Sequence, residues 1–81
     1  MKIGKVVTAL KVSKRAPCLG DRPLLLVRTP TEELVATDLV GAAPGEAVLL
    51  LTGPAAAKLA MDAPADAAAV AVMDGNQFDF P

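Results

Sequence analysis

The sequence predicts an all-β domain: a small closed or nearly closed β-barrel of five short strands with one short helix. Three observations lead there. Apolar runs of strand length recur along the chain. Turn signals built on Gly, Pro and Asp separate them roughly every ten residues. A single alanine-rich stretch reads as helix. With 81 residues the chain is expected to form one domain, 1–81, with no room for a second.

Ile3 to Val12 opens the chain as a β-rich segment in which Val6, Thr8, Leu10 and Val12 are expected to share one face. Pro17, Gly20, Asp21 and Pro23 mark Ser13 to Pro23 as a loop. Leu24 to Arg28 is continuously apolar until its last residue, as expected of a strand buried on both faces. Thr29 to Glu33, with Pro30 and two acids, reads as a hairpin connection to a third strand, Leu34 to Asp38. The run Gly41-Ala42-Ala43-Pro44-Gly45 is a tight turn before a fourth strand, Ala47 to Thr52. Gly53 and Pro54 then introduce Ala55 to Met61 as one or two helical turns, with Pro54 near the first helical position. Asp62 to Pro64 stops the helix, and Ala67 to Met73 is the last core strand, with helix as its alternative because of the alanines. Residues 75–81 form a short C-terminal tail. Its Phe78 and Phe80 are spaced to face one side and are expected to pack against a subunit surface.

Composition points to assembly. A domain this small buries only about 60% of its unfolded surface when it folds alone, and such domains usually rely on a staple. Cys18 is the only cysteine, so no internal disulfide can form, and there is no histidine to help hold a metal. Yet 53% of residues are hydrophobic and the mean hydropathy is +0.46. The staple left is oligomerisation, which turns apolar surface into subunit interface. A membrane is not the expected destination. The stretches Ala47 to Leu51 and Ala67 to Met73 fall far short of the roughly 18 to 20 residues of a spanning helix. The lysine-studded N-terminus has no secretory h-region, so a cytoplasmic location is expected. Net charge is −1, and nucleic acid is not the expected partner either. Lys11, Lys14, Arg15 and Arg22 read as solvated loop charges, and the only aromatic residues are Phe78 and Phe80.

No catalytic constellation is present. The commonest general base is missing with histidine. Cys18, between Pro17 and Leu19, reads as a small, partly buried apolar residue. Asp38, Glu46, Asp62, Asp66 and Asp74 stand singly at strand ends and turns, as solvated or capping carboxylates do. The glycines Gly41 and Gly45 lack the Lys-Ser/Thr of a phosphate-binding loop, and Glu46 would repel phosphate. Their expected use is a turn that needs unusual backbone angles. No enzyme activity, cofactor or metal is expected.

The stretch from Val35 to Leu49, VATDLVGAAPGEAVL, resembles the "VAVDxVGAGxGExVL" signature of the bacterial microcompartment vertex proteins. These are the pentamer-forming shell proteins of carboxysomes and metabolosomes. The opening Met1 to Val7 is similar to the family's start, and Pro17 to Val27 to its "PSLxGxKLLLV" segment. Pro64 to Asp74 is similar to "PVDAAVVGIVD". The resemblance spans nearly the whole chain in register. It implies an OB-like barrel that closes into a homopentamer and caps the fivefold vertices of a shell built mostly of hexameric proteins. It also implies that the segment after the fourth strand, here Gly53, Pro54, Ala55, Ala56 and Lys58, forms the rim of the fivefold pore. Pro54 and Ala55 replace family serines there, and Ala57 or Lys58 an arginine, so this rim would be more apolar and stiffer. The family signature turn corresponds to Asp38, Gly41, Gly45 and Glu46. Polar loop residues, among them Lys14, Arg15 and Arg22, are candidates to face the hexamers. The alternative reading is an OB-type binding module for nucleic acid or a protein partner, since the barrel hosts many functions.

Overall fold

The computed structural model describes residues 1–59 and 66–74 of the chain. Its elements run β1 (Lys2–Leu10), a 3-10 turn (Pro17–Leu19), β2 (Leu24–Arg28), β3 (Glu33–Asp38), β4 (Ala47–Thr52), α1 (Pro54–Leu59) and β5 (Ala67–Met73). The five strands close into a barrel in the order β1-β2-β3-β5-β4. Every neighbouring pair is antiparallel except β3 and β5, which run parallel through Ala36↔Ala67, Thr37↔Ala68 and Asp38↔Ala69. This is the five-stranded, OB-like barrel expected from the sequence.

Five strands enclose a narrow interior, and the side chains are sized for it. Leu25, Val27, Val48, Leu50 and Val6 fill the core from β2, β4 and β1. Opposite them, the fully buried contributions of β3 and β5 to this cluster are Ala36, Ala67 and Ala69, with half-buried Leu34 of β3 packed against it. Large residues therefore face small ones across the axis, which is how a tight core reaches high packing density without strain. Of the alanines that left β5 open to a helical reading, Ala67 and Ala69 are core-facing strand residues.

The expected face of β1 needs correction. Val6 is buried, but Thr8 and Val12 are exposed and Leu10 is only half-buried. The register with β2 shifts between Val6 and Thr8: Val6 pairs with core-facing Val27, whereas Thr8 pairs with Leu26 and Leu10 with Leu24. The extra residue is a β-bulge, which moves every later side chain to the opposite face. Gly4 and Val6 face inward before it, while Thr8 and Leu10 face outward after it. A second shift, between Leu49 and Leu50, leaves Val70 of β5 outside the ladder.

The loop from Lys11 to Pro23 lies outside the barrel. Arg15 holds it, its Nη1 donating to the carbonyls of Gly20 (2.9 Å) and Arg22 (3.0 Å). The 3-10 turn buries none of its residues, so Cys18 is an exposed free thiol and not the partly buried residue expected. With the strands filling the core, nothing calls this turn inward.

The β2–β3 hairpin is built around Thr29, which is 6% exposed. Its hydroxyl accepts from the Glu32 N–H (3.1 Å) and donates to the Glu32 carbonyl (3.0 Å). Lys2 Nζ meets the Glu32 carboxylate at 2.8 Å and draws the hairpin toward the start of β1. Among the described residues no helix is long and apolar enough to cross a membrane.

Candidate functional site

The signature turn is the most organised polar feature of the chain. β3 ends on Asp38, whose side chain turns toward the backbone that follows it. Asp38 Oδ1 accepts from the N–H groups of Val40 (3.1 Å), Gly41 (2.9 Å) and Ala42 (3.3 Å), and Oδ2 from Ala42 (3.1 Å). The other end of the turn is held in the same manner. Glu46 Oε1 accepts from the Ala43 N–H at 2.6 Å, while the Glu46 N–H donates to the Ala43 carbonyl at 3.1 Å. Two carboxylates thus gather four successive backbone donors, 40 to 43. Bonds of this kind, with an ionised acceptor, are stronger than those between neutral groups.

Gly41 and Gly45 supply the backbone angles that this path requires, with φ of 73° and 88°. A side chain would be strained at either position. The turn is then fastened across the barrel: the Gly45 N–H donates to the Val6 carbonyl (2.8 Å) and the Val6 N–H to the Glu46 carbonyl (2.9 Å). Those bonds meet β1 at its bulge. Asp38, Gly41, Gly45 and Glu46 therefore form one unit. Their chemistry is architectural: both carboxylates are occupied by backbone N–H groups of their own turn.

The second group of residues lies where β4 hands over to β5. Gly53, with φ of 70°, turns the chain into α1, and Pro54 occupies the first helical position. The helix lies against β4 and β5. Gly53, Pro54, Ala55 and Lys58 are exposed, whereas Ala56 is 2% exposed and packs inward. Among the described side chains of the helix, Ala56 is the buried one. Phe78 and Phe80 fall outside the described residues, so the expectation that they pack on a subunit surface has no structural counterpart here. Arg15 is engaged by its own loop through Nη1.

The outer faces of the strands carry a feature that scanning for motifs missed. Core residues alternate with outward ones, so Ile3, Leu26, Val35 and Leu49 all point away from the barrel axis, and all are half-buried. The continuous apolar runs of β2 and β4 were the available signal. Among the described residues no group of three or more Asp, Glu or Cys side chains is arranged to hold a metal ion.

Three comparisons bear on the whole arrangement. The family model described as "Ethanolamine utilisation protein EutN/carboxysome" matches residues 1–74. The solved structure of CcmL from Nostoc sp. PCC 7120 is 34% identical, with 91% of this chain and 89% of that chain covered and a TM-score of 0.79. EutN from Escherichia coli is 28% identical over 91% and 86% of the two chains, TM-score 0.75. GrpN from Rhodospirillum rubrum, described as a pentameric microcompartment shell protein, is 28% identical over 91% and 94%, TM-score 0.76. No curated protein sequence matches the chain. The turn gathered by Asp38 and Glu46, the closed five-stranded barrel and these likenesses together make the chain a member of the EutN/CcmL family of microcompartment vertex proteins.

Proposed function

We propose that this chain is a structural shell subunit that forms cyclic pentamers and caps the fivefold vertices of a bacterial microcompartment in the cytoplasm. Membership in the EutN/CcmL family carries the reading, with the likeness to a pentameric shell protein over 91% of the chain. The chain's physics agrees: it is over-hydrophobic for its size, and a cyclic ring gives each subunit two interfaces to bury. Hexameric proteins tile a flat sheet, and closure of that sheet needs fivefold units. The pentamer's contribution is therefore curvature, and its outer edges must fit hexamers.

Two measurements test the role. Native mass spectrometry of the purified protein is expected to give about 41 kDa, five times the 8.2 kDa chain. Co-expression of the cognate hexameric shell proteins with this chain is expected to give closed polyhedra by electron microscopy, and tubes, sheets or leaky shells without it. Identical sealed particles in both cases, with no second pentamer gene present, would overturn the assignment.

The same reading puts Gly53, Pro54 and Ala55 nearest the fivefold axis, with Lys58 close behind and Ala56 anchoring the segment from beneath. What supports it is that Gly53, Pro54 and Ala55, the exposed residues that lead into the helix, are small, as five converging copies require. Ala55→Trp is expected to block the pentamer or plug its opening, while the isolated barrel keeps its far-ultraviolet circular dichroism. A pentamer of unchanged mass and unchanged axial density in cryo-electron microscopy would rule this placement out.

A further inference from the structure

We infer that the ring is held by two dissimilar apolar patches, one centred on Ile3 and Leu49 and the other on Leu26 and Val35, the first of one copy meeting the second of the next. The inference rests on the pentameric reading and adds to it the surfaces that make the contact.

The first patch is a cross-strand row over three strands: Ile3 of β1 pairs with Leu49 of β4, which pairs with Ala71 of β5. Neighbouring core residues fix its direction. Val48 and Leu50 are inside the barrel, so Leu49 is outside, and Gly4 is inside, so Ile3 is outside. Met1 and Pro30 extend the row into an open groove of about 590 Å³, walled by the hairpin that the Lys2–Glu32 bridge holds in place. The second patch lies on the other two strands. Leu25, Val27 and Ala36 are inside, so Leu26 and its partner Val35 face out. The Arg28–Glu33 bridge, 3.1 Å, bounds this pair on one side.

A second copy of the chain is the occupant that the surface requires. A cyclic ring of five uses heterologous contacts, in which one patch on a subunit meets a different patch on its neighbour. Stable interfaces take about 800 Å² from each partner, so two of them would remove roughly a third of the 4978 Å² that a single subunit exposes. In this assignment the barrel's outward apolar faces supply part of that area. The two patches differ in shape. The first is a groove with Lys5 beside it on β1, a residue that makes no ion pair among the described residues. The second is a flat pair of side chains with the exposed Asp66 carboxylate at its edge, accepting from the Val35 N–H at 3.3 Å. Groove against flat pair suits contact between the two patches better than contact of either with itself.

Two variants test this, Leu49→Asp in the first patch and Leu26→Asp in the second, with native mass spectrometry as the readout. The wild type is measured first; if it is not pentameric, the reading beneath the inference fails and the inference with it. Given a wild-type pentamer, each variant alone is expected to be monomeric. Mixed in equal amounts they are expected to form a heterodimer of about 16 kDa, twice the 8.2 kDa chain. One intact first patch then meets one intact second patch, and growth stops there. Variants that remain pentameric, homodimers of either variant alone, or a mixture that stays monomeric would each overturn the inference. If circular dichroism shows that an Asp variant does not fold, Leu49→Thr and Leu26→Thr take its place. Each is then expected to raise the protein concentration at which the pentamer dissociates at least tenfold, and an unchanged midpoint would overturn the inference.

Discussion

Asp38→Ala is expected to destabilise the barrel by about 3–5 kcal/mol. The carboxylate is 8% exposed and accepts from three backbone N–H groups. A hydrogen bond to a charged group contributes about 1.5–3 kcal/mol, and a buried donor left without a partner costs about 1–3 kcal/mol. The three losses fall on one turn and overlap, so the total is less than their sum. A single chain of this length has roughly 4–12 kcal/mol of stability to lose, so the change removes a large share of it. Asp38→Asn keeps the Oδ1 acceptor but sets an amide nitrogen against the Ala42 N–H, and about 1–2 kcal/mol is expected. Urea unfolding followed by circular dichroism checks both values, at one fixed protomer concentration because assembly adds to apparent stability. An Asp38→Ala chain within 1 kcal/mol of the wild type would mean that the turn does not depend on this carboxylate.

The other large effect is steric. A Cβ placed on Gly4 would come within 2.5 Å of Val27 Cγ1, 3.0 Å of the Arg28 carbonyl oxygen and 3.4 Å of Leu50 Cδ1. Val27 and Leu50 are fully buried core residues, so neither has free space to retreat into. Overpacking of this sort costs about 1–3 kcal/mol for one added methyl, and Gly4→Ala is expected to fall in that range. Gly4→Val adds two more methyl groups at the same place and is expected to leave the barrel unfolded at 25 °C. The double variant Gly4→Ala, Val27→Ala should be more stable than the sum of the two single losses, since the second change vacates the space the first one needs. Strict additivity in that cycle would show that the close approach at Gly4 is not what limits substitution.

Much of this architecture is legible in the sequence, and the parts that are not have identifiable causes. β2, β4 and β5 begin and end where the apolar runs do, because each run is bounded by Pro, Gly or Asp. The inward face of β1 was not legible beyond Val6, since alternation assumes an unbroken pleat and the bulge before Thr8 depends on pairing with β2. Asp38 and Glu46 could be recognised as capping acids standing apart. That they gather consecutive N–H groups depends on the path of Gly41 to Gly45, which is a matter of backbone angles and not of residue type. Gly4 carried a usable signal, a glycine inside a strand, which marks close backbone approach or a bulge. The outward patches are the hardest to read. A continuous apolar run states that both faces of a strand avoid water, without saying whether the same chain or another one covers the second face.

The parallel seam between β3 and β5 has a consequence for the order in which the molecule can be made. β5 is the last strand to leave the ribosome, and until Ala67 to Ala69 arrive, β3 and β4 each present an unpaired edge. Exposed edges of this kind are templates for strand addition by any other nascent chain. The three residues that close the seam on β3 are all alanine, so little side-chain volume has to be accommodated there. Once β5 is seated the five strands form a closed ring, in which Ala36 to Asp38 of β3 are paired on both sides. Association that goes through outward side chains can then be released and re-formed without unravelling the paired part of the sheet.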